Sequence, residues 1–381
     1  MSRKPNQVPR ILHLHSTFDP GGKEVRCVRL INAFGAGTEH AIVSGDPDRR
    51  GAAALLDPKR KVAWPKFPSL KGKPLPGRLK SIAAAMAGYD LICTYNWGAM
   101  DAVMAHTLFA DVYRLPPLVH HEDGFNEDEA LRLKAGRNFY RRIALGRTSA
   151  LVVPSRLLQR IALEAWQQPH TRVRRIPNGV DTRAYAKKPR ADALPSLVKR
   201  KGEKWVGTLA GLRKVKDLPR LVRAFSRLPE DWHLVIAGEG PERAAIVAEA
   251  ERLRIEHRVH LPGFVARPQD LVGLFDIFAL SSTSEQFPIS VIEAMAAGVP
   301  IVSPAVGDVA AMVAEENREF VAPGSDERDL GAALERLAGD AALRERVGAA
   351  NRTLARKEYD ETTMIERYKA LYWGLMGRKA P

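Results

Sequence analysis

The sequence predicts an α/β protein built from two doubly wound, Rossmann-like domains. Short apolar segments of strand length alternate with amphipathic helical patterns, and this alternation occurs twice along the chain. The segments are continuously apolar, which is typical of parallel strands covered by helices on both faces of a sheet. A length of 381 residues also favours two domains, because a domain commonly holds roughly 100–200 residues.

The predicted strands of the first domain are rich in leucine and β-branched residues. They cover Arg10–His15, His40–Ser44, Asp90–Thr94, Pro117–His121, Ala150–Pro154 and Arg172–Ile176. Helices are predicted between them over Glu24–Phe34, Arg78–Met86, Ala99–Phe109, Glu127–Arg147 and Ser155–Ala165. We assign residues 1–184 to this domain.

A second domain, assigned to residues 204–356, follows a lysine- and proline-rich linker predicted at 185–203. Its strands are predicted over Trp205–Ala210, His233–Ala237, Val259–Leu261, Ile277–Ser281 and Pro300–Ser303. Its helices are predicted over Leu218–Leu228, Pro241–Leu253, Ile289–Ala297 and Asp308–Ala314. We expect residues 357–381 to form a helix that packs back on the first domain. Doubly wound domains bind ligands at the carboxyl ends of their strands, so the two sets of ends are expected to face a cleft.

Positive charge is concentrated in the first half of the chain. The net charge is +15, and residues 1–184 hold 29 Lys and Arg against 16 Asp and Glu, whereas residues 185–381 hold 30 against 28. Such a field favours an anionic membrane face, a phosphorylated acceptor or nucleic acid. The alternative is a charge that serves solubility alone.

Two cysteines are too few for a disulfide framework or for metal ligation by cysteine. The sequence also lacks the run of about 18 apolar residues that a membrane-spanning helix needs. We therefore expect a cytoplasmic protein, in which membrane contact would be peripheral, on the inner face of the plasma membrane.

The segment from Ser281 to Pro300 carries the strongest candidates for a ligand site. A strand ends near Ser281 and a helix begins near Pro288, so Glu285 falls in the loop and Glu293 in the helix. Glu285 could accept hydrogen bonds from sugar hydroxyls, and Glu293 could hold the vicinal hydroxyls of a ribose. The alternative is that Glu285 is a helix-start charge and Glu293 a surface residue, although a glutamate among apolar neighbours usually needs a partner.

Backbone N–H groups at the start of that helix, near Phe287 and Ile289, could hold a diphosphate. Arg213 and Lys216 lie in the loop after the first strand of the second domain, at the same sheet edge. Two cations there could neutralise a leaving diphosphate without a metal; a solvated basic loop is the alternative. Gly238 follows the next strand and permits close approach of a ligand to the backbone.

The first domain offers two further loops at strand ends. Gly21 and Gly22 join the first strand to the first helix, where backbone N–H groups could approach an oxygen-rich ligand. His120, His121 and Asp123 end a predicted strand with polar groups, which favours a cleft lining. The alternatives are a plain glycine turn and a capped helix start.

Asn96 and Trp97 end another strand, and the indole offers an aromatic plane for an acceptor. The segment Asp57–Lys80 interleaves basic with apolar residues, a composition that suits an anionic membrane surface. Its first cations and its tryptophan are the candidate contacts, namely Lys59, Arg60, Lys61 and Trp64. A solvated loop is the alternative.

These motifs resemble the retaining GT-B glycosyltransferases of family four, also called glycosyl transferases group 1. The most specific stretch is Glu285-x7-Glu293 followed by Ala294-Met295-Ala296-x-Gly298-x-Pro300. Further matches are Ile176-Pro177-Asn178-Gly179-Val180-Asp181, Gly21-Gly22-x-Glu24 and Gly238-Glu239-Gly240-Pro241. The resemblance covers essentially the whole chain.

The resemblance implies a GT-B fold and transfer of a hexosyl unit from a sugar nucleotide to a lipid-linked or surface-polysaccharide acceptor. It implies retention of the anomeric configuration, with no metal and no cofactor. Arg213 and Lys216 would hold the diphosphate, Glu285 the donor sugar and Glu293 the ribose. The expected chemistry is a front-face displacement in which a donor phosphate helps to deprotonate the acceptor, so that a protein nucleophile is not required.

Three positions depart from the family pattern. Gln286 stands where the family usually has glycine, Arg213 lies unusually close to Lys216, and Asp123 occupies the place of a histidine that here falls earlier, at His120 or His121. Two other functions compete with the transferase. One is a GT-B enzyme of another class, such as a sugar-nucleotide epimerase or a phosphorylase. The other is a basic nucleic-acid-binding protein, for which a recognisable motif is missing, so we expect no nucleic-acid partner.

Overall fold

A computed structural model of the chain describes residues 7–125, 129, 132–193, 197–324 and 326–379. The chain folds into two units: unit 1 is Met1–Pro177 with Met364–Pro381, and unit 2 is Asn178–Thr363. The division thus falls before the boundary predicted at residue 184, and the described part of the predicted linker belongs to unit 2. The boundary falls earlier because Val180 forms a β-bridge to Asp360, which also belongs to unit 2.

Unit 1 contains a parallel sheet whose strands are described in the order β3-β2-β1-β4-β5-β6-β7. The strands are β1 (Arg10–His15), β2 (Glu39–Ser44), β3 (Val62–Ala63), β4 (Leu91–Tyr95), β5 (Leu118–His121), β6 (Ala150–Val153) and β7 (Val173–Arg175). The helices are α1 (Gly22–Phe34), α2 (Pro76–Met86), α3 (Met100–Tyr113), α4 (Ala135–Ala144) and α5 (Arg156–Glu164). The last helix of the chain, α13 (Glu361–Leu375), lies almost wholly in this unit.

Unit 2 contains a second parallel sheet, described in the order β10-β9-β8-β11-β12-β13. Its strands are β8 (Lys204–Leu209), β9 (Trp232–Ala237), β10 (Val259–Gly263), β11 (Ile277–Ala279), β12 (Ile301–Pro304) and β13 (Val321–Ala322). Its helices are α6 (Thr182–Tyr185), α7 (Leu218–Phe225), α8 (Arg243–Arg252), α9 (Ile289–Ala297), α10 (Val309–Met312), α11 (Glu327–Gly339) and α12 (Ala341–Glu358). The predicted α/β class with two doubly wound sheets is confirmed.

Capping residues define the ends of several helices. Ser155 caps α5 by accepting from the Leu158 N–H at 2.9 Å, and Asp181 caps α6 by accepting from the Ala184 N–H at 3.0 Å. Helix α9 ends at Gly298, whose φ of +78° is a left-handed conformation that glycine adopts without strain. These caps satisfy backbone groups that a helix end would otherwise leave unpaired.

Apolar side chains cover both faces of each sheet. In unit 1 one cluster packs β1 and β4 against α2, α3 and α5. The other packs the opposite face against α1 and α13, to which α13 contributes Met364, Tyr368, Tyr372 and Trp373. The covered faces explain why the strand segments read as continuously apolar. Among the residues described, no helix combines the length and apolarity needed to cross a membrane.

The structure differs from the sequence prediction mainly at sheet edges. The two-residue strands β3 and β13 were not predicted, because neither forms an apolar run long enough to signal a strand. The helix predicted over Glu127–Arg147 appears as α4 from Ala135, followed by a 3-10 turn over Leu145–Arg147. Residues 126–128, 130 and 131, and residues 194–196 of the predicted linker, lie outside the described part of the chain.

Candidate active site

The first candidate site lies where the strand order of unit 2 changes direction. From β8 the chain builds β9 and β10 on one side, and it then returns to place β11 on the other side of β8. Ligands of doubly wound domains bind beside the carboxyl ends of strands at such a switch point. The loops that follow β8 and β11 carry Lys216 and Glu285, so the fold brings both predicted residues to this point.

Hydrogen bonds hold the two loops together. The Thr283 N–H donates to the Val215 carbonyl at 2.9 Å, and the Ser281 hydroxyl donates to the Lys216 carbonyl at 2.8 Å. The Arg220 guanidinium, which is buried, donates to the Ser281 carbonyl. The side chains on these loops therefore sit on a fixed backbone.

Lys216 and Glu285 form an ion pair across the two loops. Their side chains are 17% and 11% exposed, respectively, so the pair is largely withdrawn from water while one side stays accessible. The Ser282 hydroxyl donates to the same Glu285 oxygen at 2.7 Å. This arrangement fixes a cation and a carboxylate side by side. The sequence predicts that both residues lie at the same sheet edge, but it does not predict that they form a pair.

Glu293 lies in α9 and is half-buried. The Tyr185 hydroxyl, from α6, donates to its Oε1 at 2.7 Å. The apolar neighbours of Glu293 in the helix had predicted that this carboxylate needs a partner. The sequence did not reveal which residue it is, because Tyr185 is 108 positions away along the chain.

The other residues predicted for donor binding surround the same edge. Arg213 is exposed and precedes the 3-10 turn over Lys214–Lys216. Gly238 has φ +147°, and a Cβ there would come within 1.8 Å of the Ala210 carbonyl oxygen, so the loops after β8 and β9 touch. Phe287 is buried in the core of unit 2, and Ile289 is the first residue of α9.

Unit 1 also has a switch point, between β1 and β4. A cavity of about 570 Å³ opens beside it. Its lining includes Ser16 after β1, Gly45 after β2, Trp97 and Gly98 after β4, and Asp101, Arg137 and Tyr140 from α3 and α4. Of these residues only Trp97 was predicted for the site.

Small residues make room for the cavity and aromatic residues shape it. A Cβ on Gly98 would lie 2.3 Å from the Ser16 Cβ, so only glycine fits there. The Tyr140 hydroxyl donates to Asp101 at 2.7 Å, and its ring meets the Trp97 ring edge-on at 5.7 Å. The cavity therefore presents aromatic rings beside a carboxylate, a combination that suits a polyhydroxylated ligand.

An ionic cluster flanks Trp97. The guanidinium groups of Arg137 and Arg141 both stack on the indole at 4.9 Å, and both donate to Glu129. Burial raises the pKa of Glu129, but the hydrogen bonds from the two arginines outweigh it and hold the pKa below its usual value. The two guanidinium groups thereby fix the orientation of the indole.

The predicted histidines lie in the interior of unit 1. His121 donates through Nδ1 to the Thr94 carbonyl at 3.1 Å and accepts at Nε2 from the Tyr372 hydroxyl at 2.8 Å. His120 is wholly buried and bonds to the Thr94 hydroxyl at 2.8 Å. Burial lowers the pKa of His121 well below its usual value, so the ring is neutral. Direct contact of either histidine with a substrate stays a prediction.

Asp123 and Asn96 are linked at the ends of β5 and β4. The Asp123 carboxylate pairs with the buried Arg26 guanidinium, including a bond of 2.8 Å from Nη2 to Oδ2, and its N–H donates to Asn96 Oδ1 at 2.8 Å. Arg26, from α1, was not predicted, because an arginine in an amphipathic helix usually lies on the solvent face and the sequence does not show that this one is buried. The pair ties the start of α1 to the carboxyl end of the sheet.

The glycine loop and the first part of the basic segment lie outside the lining of the cavity of unit 1, whereas the later part of the segment contributes Leu70 and Lys71 to it. Gly21 precedes α1 and Gly22 begins it; a Cβ on Gly21 would lie 2.8 Å from Glu24 Oε2. Trp64 packs edge-on against Phe18 at 5.7 Å. Lys59 and Lys61 are exposed, whereas Arg60 pairs with Asp57 at 3.0 Å. Across the described ranges, no group of three or more His, Cys, Asp and Glu side chains is arranged to hold a metal ion.

The two sheets with their switch points define a doubly wound α/β protein with one candidate ligand site in each unit. Residues 20–184 match the model of Glycosyltransferase Family 4, and residues 190–354 match that of Glycosyl transferases group 1. The chain belongs to the glycosyltransferases of the GT-B fold. This confirms the family that the Glu285-x7-Glu293 stretch predicted.

Curated relatives are distant. A D-inositol 3-phosphate glycosyltransferase of Nocardia farcinica is 26% identical over 100% of this chain and 93% of its own length. An N-acetyl-alpha-D-glucosaminyl L-malate synthase of Bacillus anthracis is 24% identical, over 55% of each chain. The match to this second protein thus spans about half of its length.

Solved structures share the fold. Anabaena HepE in complex with UDP superposes with a TM-score of 0.77 at 21% identity, covering 94% of this chain and 98% of that one. At this level of identity the likeness concerns the fold alone.

Proposed function

We propose that this protein transfers a hexosyl unit from a nucleotide-diphosphate sugar to a lipid-linked or surface-polysaccharide acceptor, with retention of configuration and without a metal. The observation that carries the proposal is the Lys216–Glu285 pair at the switch point of unit 2. A cation beside a carboxylate matches the two chemical needs of such a donor, namely a diphosphate to neutralise and sugar hydroxyls to bind.

Each part of the donor has a candidate partner. Lys216 and the exposed Arg213 would hold the diphosphate, and Glu285 would turn from Lys216 to the hydroxyls of the sugar. Glu293, oriented by the Tyr185 hydroxyl at 2.7 Å, would accept hydrogen bonds from the ribose. The N–H groups at the start of α9 would add donors to the phosphates.

Departure of the nucleoside diphosphate is the step that the cations would accelerate. Negative charge grows on the bridging oxygen as the glycosidic bond breaks, and fixed cations stabilise that charge more in the transition state than in the bound donor. A donor phosphate oxygen would take the proton of the attacking acceptor hydroxyl. Attack on the face that the diphosphate leaves would retain the anomeric configuration.

The cavity of unit 1 is the proposed acceptor site. Trp97 and Tyr140 would stack on the acceptor sugar, and Asp101 would accept from its hydroxyl groups. The likeness to HepE, which was solved with UDP, supports a uridine nucleotide as the first donor to test. We place the enzyme in the cytoplasm, at the inner face of the plasma membrane.

Thermal unfolding with a panel of UDP-, GDP- and ADP-sugars, each with and without EDTA, tests the proposal. At least one nucleotide sugar should raise Tm, equally with and without EDTA, and Glu293→Gln should abolish the shift. The matched control is Glu251→Gln, an exposed glutamate in α8, which should behave as the wild type. The absence of any shift at millimolar concentration would refute donor binding.

A second measurement separates the transferase from its same-fold alternatives. Incubation of the enzyme with the donor that binds, and with no acceptor, should leave the donor sugar unchanged. Formation of an epimer, or of a sugar phosphate when inorganic phosphate is added, would instead indicate an epimerase or a phosphorylase.

A further inference from the structure

Unit 2 has a second cavity, at the sheet edge opposite to Lys216 and Glu285. Its volume is about 890 Å³, and its lining includes Glu203, Asp276 and Pro300. These three residues directly precede β8, β11 and β12, so the cavity adjoins the amino-terminal ends of those strands. Six residues form β8, and at about 3.3 Å per residue roughly 17 Å of strand separates the two edges. We call this second cavity the amino-edge cavity.

Positive charge dominates the lining of the amino-edge cavity. Of the described residues that line it, seven are Lys or Arg and three are Asp or Glu. Two of the three carboxylates already have partners. Asp276 pairs with Lys199 at 2.6 Å, and Glu203 accepts from the Arg200 N–H at 3.0 Å. The cavity therefore holds positive charge that its own carboxylates do not neutralise.

Four of these cations have no acidic partner among the residues described, namely Lys187, Lys188, Lys201 and Arg352. They come from three separate parts of unit 2, which are the segment after α6, the turn before β8, and α12. The three lysines are exposed, so each ammonium group is accessible to a ligand. A run of charge within one segment is commonly a solvated loop, but here the fold brings cations from distant segments to one cavity.

Arg352 is the cation of this group that the structure holds in place. Its Nη2 donates to the Ala297 carbonyl at 2.7 Å, and a Cβ on Gly298 would come within 2.3 Å of Nη2. This is its one hydrogen bond within the described part of the chain, where its Nε is buried without a partner. A guanidinium that is fixed at one nitrogen and keeps further N–H donors is suited to binding an anion.

Packing fixes the backbone segments on both rims of the cavity. A Cβ on Gly273 would lie 2.6 Å from the Pro189 Cδ, so the segment after α6 lies directly on the turn before β11. On the other rim the Lys199 ammonium, two residues before Lys201, donates to the Leu274 carbonyl at 2.6 Å. Rims that are already fixed lose little conformational freedom when a ligand binds, which favours affinity.

We propose that the amino-edge cavity binds a small ligand that carries a diphosphate or two phosphate groups, at a site separate from that of the donor. Four cations without acidic partners match the charge of two phosphates, and lysine and arginine are the residues that bind phosphate oxygens. A volume of about 890 Å³ lies within the range of small-molecule sites.

The cavity also adjoins the two helices that carry the proposed ribose contact. Lys187 follows Tyr185 by two residues, and Ala297, whose carbonyl Arg352 binds, follows Glu293 by four residues in α9. Tyr185 and Glu293 are themselves joined at 2.7 Å. A ligand that bridges Lys187 and Arg352 would hold α6 and α9 together, so we expect this ligand and the donor to strengthen each other's binding. This coupling rests on the proposed function, whereas the anion site does not.

Isothermal titration with inorganic pyrophosphate tests the site. The full chain carrying Arg213→Ala and Lys216→Ala is used, because these changes remove the cations proposed for the donor. Pyrophosphate should bind to this protein at one site. Adding Lys188→Glu with Lys201→Glu should weaken binding by about tenfold or more, the usual value of a charged hydrogen bond. Arg352→Gln should weaken it by about tenfold.

Two controls separate a built site from general attraction of anions. Arg328→Glu with Lys357→Glu reverses two exposed charges of unit 2 that do not line the cavity, and it should leave pyrophosphate affinity unchanged. Inorganic sulfate, which has a single anionic centre, should bind about tenfold or more weakly than pyrophosphate. Lack of pyrophosphate binding at millimolar concentration, or equal weakening by the Arg328/Lys357 and Lys188/Lys201 changes, would overturn the site.

The coupling is measured on wild-type protein saturated with the donor that thermal unfolding identifies. Pyrophosphate should bind this complex about fivefold more tightly than it binds the Arg213/Lys216 variant, and Tyr185→Phe should remove the difference. Equal affinity in the two proteins would reject the coupling and retain the site. If no donor binds, the proposed function fails, while titration of the Arg213/Lys216 variant still decides whether the anion site exists.

Discussion

The two units use the same edge of the same kind of sheet in different ways. In unit 2 the switch point carries a charged pair that stays partly accessible, Lys216 with Glu285. In unit 1 the polar groups at the strand ends are turned inward, as His121 bonded to Tyr372 illustrates. In both units a ligand is expected at the carboxyl ends of the strands, as in other doubly wound domains. Burial then decides which of the side chains at those strand ends can contact a ligand.

The inward polar groups of unit 1 support a cavity that small and aromatic residues form. Trp97 is held by the guanidinium groups of Arg137 and Arg141, and Gly98 leaves room beside Ser16. The candidate site of unit 2 centres on an ion pair, whereas the cavity of unit 1 is lined by the aromatic rings of Trp97 and Tyr140 together with Asp101 and Arg137. This difference suits a diphosphate-bearing donor in unit 2 and a sugar acceptor in unit 1.

The largest expected effect is a difference between the units in acid stability. Burial lowers the pKa of His13, His15, His40 and His121, and for His40 it falls to about 4. In the unfolded chain these groups titrate near 6.5. Below that pH the unfolded chain binds more protons, so the stability present above pH 6.5 is lost on acidification, by about 1.4 kcal/mol per pH unit for each histidine.

All four histidines belong to unit 1, whereas His233 and His260 of unit 2 are only partly buried. Unit 1 should therefore lose several kcal/mol of stability between about pH 6.5 and pH 5, and unit 2 much less. Hydrogen exchange measured by mass spectrometry, corrected for the intrinsic pH dependence, reports the two units separately. If unit 2 instead loses its protection from exchange at a higher pH than unit 1, the predicted difference in acid stability is wrong.

The next effect concerns the accessible charge of unit 2. Lys216→Ala should lower kcat/KM by roughly 10²–10³, the usual cost of removing one group that stabilises developing negative charge. Lys214→Ala removes an exposed cation from the same 3-10 turn and should change the rate little. Steady-state assays of both variants measure the difference. Equal loss in the two would mean that general positive charge, and not the paired Lys216, serves the diphosphate.

Much of this architecture is predictable from the sequence because burial on both sides of a sheet forces continuous apolar runs. Strand β1 has the predicted bounds, Arg10–His15, and the loops carrying Lys216 and Glu285 fall at the predicted edge. The short edge strand β3 was missed because two residues without an apolar run carry no such signal.

Side-chain partners were less predictable, because they join distant positions. The apolar setting of Glu293 predicted a partner but could not name Tyr185. Likewise, histidines at the end of β5 fit a cleft lining as well as an interior network, and only the position of Tyr372 decides that His121 is enclosed. Asp101 and Tyr140 were missed because each lies within a helical pattern, and only the packing of α3 on α4 brings them together.

A smaller effect is expected at the cavity of unit 1. Tyr140→Phe removes the hydroxyl that donates to Asp101 at 2.7 Å but keeps the ring beside Trp97. Asp101 would lose the bond that orients it, and because only part of the value of that bond would reach the acceptor, KM for the acceptor should rise by roughly tenfold at most. The donor-induced Tm shift should be unchanged. A variant in which donor affinity falls instead would remove this cavity from the acceptor role.

The smallest effect is expected where the chain departs from its family, at Gln286. Within the described residues its Oε1 is buried and has no hydrogen-bond partner, although it follows Glu285 directly and precedes α9. We expect this oxygen to accept a hydroxyl of the bound donor, so Gln286→Gly should weaken donor affinity by about fivefold, the value of one neutral hydrogen bond of about 1 kcal/mol. Gln286→Met, which keeps the length of the side chain but removes the oxygen acceptor, should weaken it by about as much, and isothermal titration of both variants provides the measurement. If Gln286→Gly binds the donor as tightly as the wild type, donor recognition in unit 2 depends on the paired charges alone.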